Sequence, residues 1–200
     1  DENWYARVIS KLTEDCHEPE DIYSNALSVI TFNYDMSLEH YLHDKLPASE
    51  LFRKVEVDRV CRPLHIHGQL VFDIQTVANL NVEFAKSLVS CDDQFRMIGD
   101  ERDPTLEPAM AGRYLLDKAE RIFVLGFDFH TANVDLLNLG DPKIVSKLIV
   151  LNWDGSARLS RKLVALGVPT QNVWSGTPAA PYSIAKAIDD GVFDANPAWP

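Results

Sequence analysis

Apolar residues fall into two alternating patterns along this chain. Short continuous runs rich in Val, Ile and Leu occupy residues 27–32, 122–125 and 147–151, the form a strand takes when both its faces are buried. Residues 171–174 read as a further short strand, and 62–68 as an alternating one running into a turn at Gly68. Between the runs, apolar positions recur at helical spacing. Trp4, Val8 and Leu12, with Tyr5 and Ile9 beside them, make one stripe, and Leu38, Tyr41 and Leu42 make another within 36–42. Residues 108–119 predict a helix opened by Pro108, with Met110, Tyr114 and Leu115 inward. Shorter helices are expected over 132–139, ending near Gly140, over 156–166 with Gly167 at C′, and over 182–188.

The remaining stretches connect these elements. Residues 14–21 are charged, contain Pro19 and read as a loop, while 55–60 read as a short edge strand or irregular link. Residues 69–72 read as a strand, 81–88 as a helix, and 90–108 as a loop-rich excursion around a short apolar strand at 95–98. Strand and helix thus alternate with short connections. That order predicts an α/β fold: a doubly wound, mainly parallel sheet with helices on both faces, Rossmann-like. One domain is expected over 1–193, with a frayed tail at 194–200.

The apolar runs end abruptly in polar residues. Asn33 and Asp35 follow the first, Gly126 and Asp128 another, and Asn152 and Asp154 a third, while His65, His67 and Gly68 close the short alternating strand. Parallel strands bring such tips to one edge of a sheet, where ligands bind in open α/β folds. Asn and Asp also cap helices and make turns, so any single tip reads first as a cap. Four tips together are harder to explain by capping alone.

These tips resemble a known family. Thr31-Phe32-Asn33-Tyr34-Asp35, then His67-Gly68, then Val124-Leu125-Gly126-Phe127-Asp128, then Leu151-Asn152 look like the sirtuin-like NAD-binding domain. The nearer likeness is to bacterial sirtuin-like domains that hydrolyse NAD, many of them in antiphage defence. The resemblance implies that Asn33 positions the reacting ribose or water and that His67 is the catalytic histidine. It implies that Asp35 lies near the nicotinamide amide, that Gly126, Phe127 and Asp128 touch the phosphates and ribose, and that Asn152 contacts the adenosine ribose. NAD, cleaved to nicotinamide and ADP-ribose or simply bound, is the small molecule expected. A non-catalytic NAD or ADP-ribose module and an NAD-dependent deacylase are the alternatives.

Two departures from the family pattern bear on this. No Gly-x-Gly occurs, so the phosphate-cradling turn that precedes the Asn-Tyr-Asp strand in the family is missing. The chain also opens without Met inside a helical stripe, and an N-terminally truncated domain is expected. The four-cysteine zinc site of the deacylases is absent, which favours the hydrolase branch, and no zinc is expected.

Composition narrows the field. A formal net charge of −11 repels phosphate backbones, so nucleic acid is not an expected partner. Cys16, Cys61 and Cys91 are scattered with no Cys-x-x-Cys, as in a reduced, cytoplasmic protein. No run is long enough to span a bilayer, and membrane is not an expected partner. A fused effector or sensor domain and a homo-oligomer remain open as partners. His65 and His67, spaced i and i+2, are weighed as a metal-binding pair, and no zinc is expected there. His67 as a hydrogen-bonded structural residue is the competing reading. His40 and His43 read as solvated, His130 as locally bonded, Trp174 and Phe123 as core, and Cys61 and Cys91 as inert thiols.

Overall fold

A computed structural model describes residues 3–25, 27–68 and 107–194. The expected elements at 69–72, 81–88 and 95–98, most of the 90–108 excursion, Cys91 and the tail beyond Asp194 lie outside the described residues. The chain divides into two compact units, one of Asp1–Glu14 with Pro104–Pro200, the other Asp15–Asp103.

In the first unit the opening stripe forms helix α1, Trp4–Thr13, which buries Val8 and Leu12. The Asn3 side chain accepts from the Ala6 amide at 3.4 Å and so caps it. Strands β3 (Ile122–Val124), β4 (Leu148–Asn152) and β5 (Val173–Ser175) form a parallel sheet in that order, with Ile122 opposite Leu148 and Val150 opposite Val173. All five residues of the central strand β4 are buried, the physical reason its sequence is apolar up to its last residue, Asn152. The edge strands are only partly covered: Phe123, Val124, Val173 and Trp174 are half-buried. Helix α4, Glu107–Lys118, packs on α5 (Thr131–Leu137) and on the single turn α6 (Pro142–Val145). Helix α7, Ala157–Leu166, begins at a Ser156 cap and stops at Gly167, whose φ of 81° takes the left-handed conformation open to glycine. Helix α8, Ile184–Asp189, packs against α1, and Arg7 Nε reaches Asp189 Oδ1 at 2.7 Å.

The second unit holds a two-stranded parallel sheet. Strand β1 (Ile30–Thr31) pairs with β2 (Leu64–His65), Ile30 opposite Leu64 and Thr31 opposite His65. Helix α2, Ser37–Lys45, follows β1, and a one-turn helix α3, Val57–Val60, precedes β2. A 3₁₀ helix at Pro19–Ser24 packs on α3, and the Glu56 amide donates to Tyr23 Oη at 2.8 Å. Ile22, Leu42, Leu46, Phe52 and Val60 form the apolar centre.

The architecture is therefore mixed α/β with short parallel sheets and helices, as the alternating order predicts at its coarser level. Several local expectations need correction. The run 27–32 pairs over two residues only, and those are half-buried rather than buried. Residues 55–60 hold a helical turn, not an edge strand, because Val57 and Val60 face inward at i and i+3. Pro19 opens a 3₁₀ helix at N1 instead of sitting in a loop. Helix α4 is rotated from the expected face: Ala109, Gly112 and Leu116 are buried, and Met110 and Tyr114 are exposed. Small residues allow that face to approach its neighbours closely, a signal that hydropathy alone underweights. Among the described residues no helix is long and apolar enough to cross a membrane.

Candidate functional site

In the second unit the polar tip of β1 and the turn after β2 come together. Thr31 and His65 are register partners, so Asn33 and His67 each lie two residues beyond the same rung. The His67 ring packs 5.3 Å from the Phe32 ring and 6.2 Å from the Tyr34 ring, centroid to centroid, and these two residues flank Asn33. His67 itself is 3% exposed, whereas Asn33 is exposed. Gly68, with φ of 89°, makes the left-handed turn after His67.

The Asn33 backbone is held at both its polar groups. Its N–H donates to Thr31 Oγ1 at 3.0 Å, and its carbonyl oxygen accepts from His65 Nδ1 at 2.8 Å. The Asn33 side chain makes no hydrogen bond among the described residues, so a fixed main chain presents a free amide to solvent. Asp35 has the other fate that Asp residues meet at strand ends. Its Oδ1 accepts from the Ser37 amide at 3.1 Å and closes the start of α2. Hydrogen bonds from the Ser37 side chain and amide hold the Asp35 carboxyl below its ordinary value.

Residues i and i+2 of a strand share a face, but β2 does not extend as far as His67. The strand stops at His65, residues 66–67 turn, and both imidazoles are buried. Among the described residues no three His, Cys, Asp or Glu side chains cluster to hold a metal ion. His65 Nε2 instead meets Glu39 Oε1 of α2 at 2.5 Å. Burial, with the Glu39 carboxylate nearby as the lesser cause, pushes the Cys61 thiol up to about 11, in keeping with an inert thiol.

The first unit carries the other expected residues at the ends of β3 and β4. Gly126 takes φ of 66°, and a Cβ built there meets no atom within 4 Å. It opens onto a shallow depression of about 250 Å³ lined by Trp4, Leu151, Trp153, Ser183, Ile184 and Ala185. The Phe127 ring packs tilted against Phe129 with centroids 5.0 Å apart, and Phe129 is buried at a positive φ of 54°, an uncommon conformation for an aromatic residue. Asp128 turns back on its own chain: Oδ1 accepts from the His130 amide at 2.9 Å, and Oδ2 lies 3.6 Å from Arg158 and 3.7 Å from Lys162. Asn152 is buried and fully engaged. Its Oδ1 accepts from the Ser156 amide at 3.0 Å, and its Nδ2 donates to Ser160 Oγ at 3.2 Å and to the Ser156 carbonyl at 3.4 Å. Trp174 is half-buried and stacks on Tyr182 with centroids 6.1 Å apart.

The capping reading thus describes Asp35, Asp128 and Asn152, each bonded to backbone within four residues. Asn33 is different, since its side chain is free among the described residues while its main chain is pinned. Glu39 escapes a reading of strand tips because it sits in the first turn of a helix. The signal available in the sequence is its place four residues after Asp35, on a helix that must pack on the β1 tip. Comparison with protein-family models, curated proteins and solved structures finds no match.

Proposed function

We propose that the chain is a sirtuin-like NAD-hydrolysing domain on a doubly wound sheet, with Asn33 and His67 acting at the nicotinamide–ribose bond. The observation that carries this reading is the exposed Asn33 amide on a main chain bonded at both N–H and C=O, beside a histidine packed between Phe32 and Tyr34.

The chemistry asks for little more at that end. Nicotinamide leaves as a neutral group, so no strong acid is required, and positive charge develops on the ribose ring. The Asn33 amide orients water at C1′ with both a donor and an acceptor and does not titrate. As the water oxygen bonds to C1′ and the C1′–N bond breaks, His67 takes the water's proton, and nicotinamide and ADP-ribose are the products. Stabilising that charge-separated state more than bound NAD supplies the acceleration. In the first unit, the space beside Gly126 supports a close backbone approach by a ligand, whereas the local bonds of Asp128 and Asn152 support a framework role for those side chains.

Binding without turnover is the second reading, and the 3% exposure of His67 favours it, since a general base must reach water. Nicotinamide release and calorimetric titration, both with NAD, separate the two. Release lost in Asn33→Ala and His67→Ala supports hydrolysis. Heat of binding without release supports the module. Release surviving both substitutions removes the assignment.

A further inference from the structure

We propose that His65, held by Glu39, is the positioning residue that sets the orientation of Asn33, an inference that rests on the role given to Asn33 above. Three elements meet at this imidazole. The ring stands on β2, Nδ1 bonds the Asn33 carbonyl at the tip of β1 at 2.8 Å, and Nε2 bonds Glu39 in the first turn of α2 at 2.5 Å. The side chains are 4% and 13% exposed, so solvent does not compete for either bond.

The hydrogen inventory of the cluster is fixed by chemistry. A carbonyl oxygen only accepts, so Nδ1 must carry a proton. One further proton lies between Nε2 and Oε1, as imidazolium facing carboxylate or as imidazole facing carboxylic acid. The pair is neutral overall in either form, which is how a buried acid and base avoid an uncompensated charge. Without that proton two lone pairs would face each other at 2.5 Å. The Glu39 contact therefore does more than fill space: it selects the ring orientation in which Nδ1–H points at Asn33. With the Asn33 N–H on Thr31 Oγ1, the main chain of this residue is fixed from both sides, and its side chain needs no partner of its own to be aimed.

A structural role alone would predict that loosening the cluster lowers stability and nothing else. A positioning role predicts a displaced Asn33 in a folded protein. The test uses Glu39→Leu, which keeps bulk but leaves Nε2 without a partner, and His65→Phe, which removes both bonds. The readouts are two-dimensional ¹H–¹⁵N NMR of the Asn33 backbone and side-chain amides and of the His65 ring, and steady-state nicotinamide release from NAD. Expected are Nδ1–H on His65 in the parent protein, shifted and broadened Asn33 signals in both variants, and a fall in kcat of roughly 10- to 100-fold with KM within about two-fold, the size that misplacing a reacting group produces. Asn33 signals unchanged in Glu39→Leu, or a His65 ring without a proton on Nδ1, would overturn the proposal. If the parent protein releases no nicotinamide, the hydrolase reading falls by itself. The NMR comparison still decides whether His65 positions Asn33. Should His65→Phe fail to fold, Glu39→Leu carries the comparison.

Discussion

Replacing Asn152 by Ala separates a framework asparagine from one that contacts a ligand. The side chain is 1% exposed at the end of the central strand β4, and it ties that strand to the start of α7. Substitution removes the bond from the Ser156 amide at 3.0 Å, the bond to Ser160 Oγ at 3.2 Å and the weaker one to the Ser156 carbonyl at 3.4 Å. The groups left behind keep other partners. The Ser156 amide also donates to Asp154 Oδ1 at 2.9 Å, and Ser160 Oγ also donates to the Ser156 carbonyl at 3.0 Å. The penalty of an orphaned buried group is thereby avoided, and the loss is the net worth of two good hydrogen bonds at about 0.5–1.5 kcal/mol each, or about 1–3 kcal/mol in all. Urea unfolding read by tryptophan fluorescence measures it, because the described tryptophans, Trp4, Trp153 and Trp174, lie in the unit that contains Asn152. Asn33→Ala, an exposed side chain with no such bonds, should change stability by less than about 0.5 kcal/mol. An Asn152→Ala midpoint equal to the parent's would refute the framework role and return Asn152 to the list of ligand contacts.

Two other outcomes follow from the same geometry. Cys61 should resist iodoacetamide at pH 8 in the folded protein and react in urea. Its pKa is raised on folding, so its contribution to stability is complete below the unfolded value of about 8.5 and is lost as pH climbs towards the folded value. With that value at about 11, unfolding titrations between the two should show falling stability that Cys61→Ala lacks. Gly126→Ala meets open space and costs only its left-handed φ of 66°, roughly 1 kcal/mol, whereas Gly155→Ala drives a Cβ to 2.3 Å from the Gly176 carbonyl oxygen and should cost several-fold more by the same unfolding assay.

Periodicity made much of the helical framework legible, and turn chemistry marked its ends. The stripe of Trp4, Val8 and Leu12, the helix expected over 156–166 and the Gly167 stop all stand where spacing and chemistry put them. Strand β4 was legible for a different reason: burial on both faces keeps it apolar from Leu148 to Leu151, with Asn152 only at its end. Residues 55–60 were not, since six residues with Val at 55, 57 and 60 suit a strand or a helical turn equally until packing decides. The face of α4 was missed because Ala109 and Gly112 are buried for their small size, while larger Met110 and Tyr114 stay outside.

At the candidate site the sequence located the polar tips but could not apportion them. Asp35, Asp128 and Asn152 turn out to bond their own backbone neighbourhoods, a choice that depends on loop geometry of an ångström or less. Asn33 stands apart through contacts made by residues distant in sequence, His65 above all. Glu39 and His65 lie 26 residues apart, and nothing in a local pattern announces that they meet.

The central claim is that Asn33 and His67 cleave the nicotinamide–ribose bond. Its most direct test is nicotinamide release from NAD by the full-length protein, measured by chromatography for the parent, Asn33→Ala and His67→Ala, with folding of each checked by circular dichroism. Release by the parent and its loss in both folded variants is the predicted result. No release by the parent, or release that persists in both variants, would contradict it.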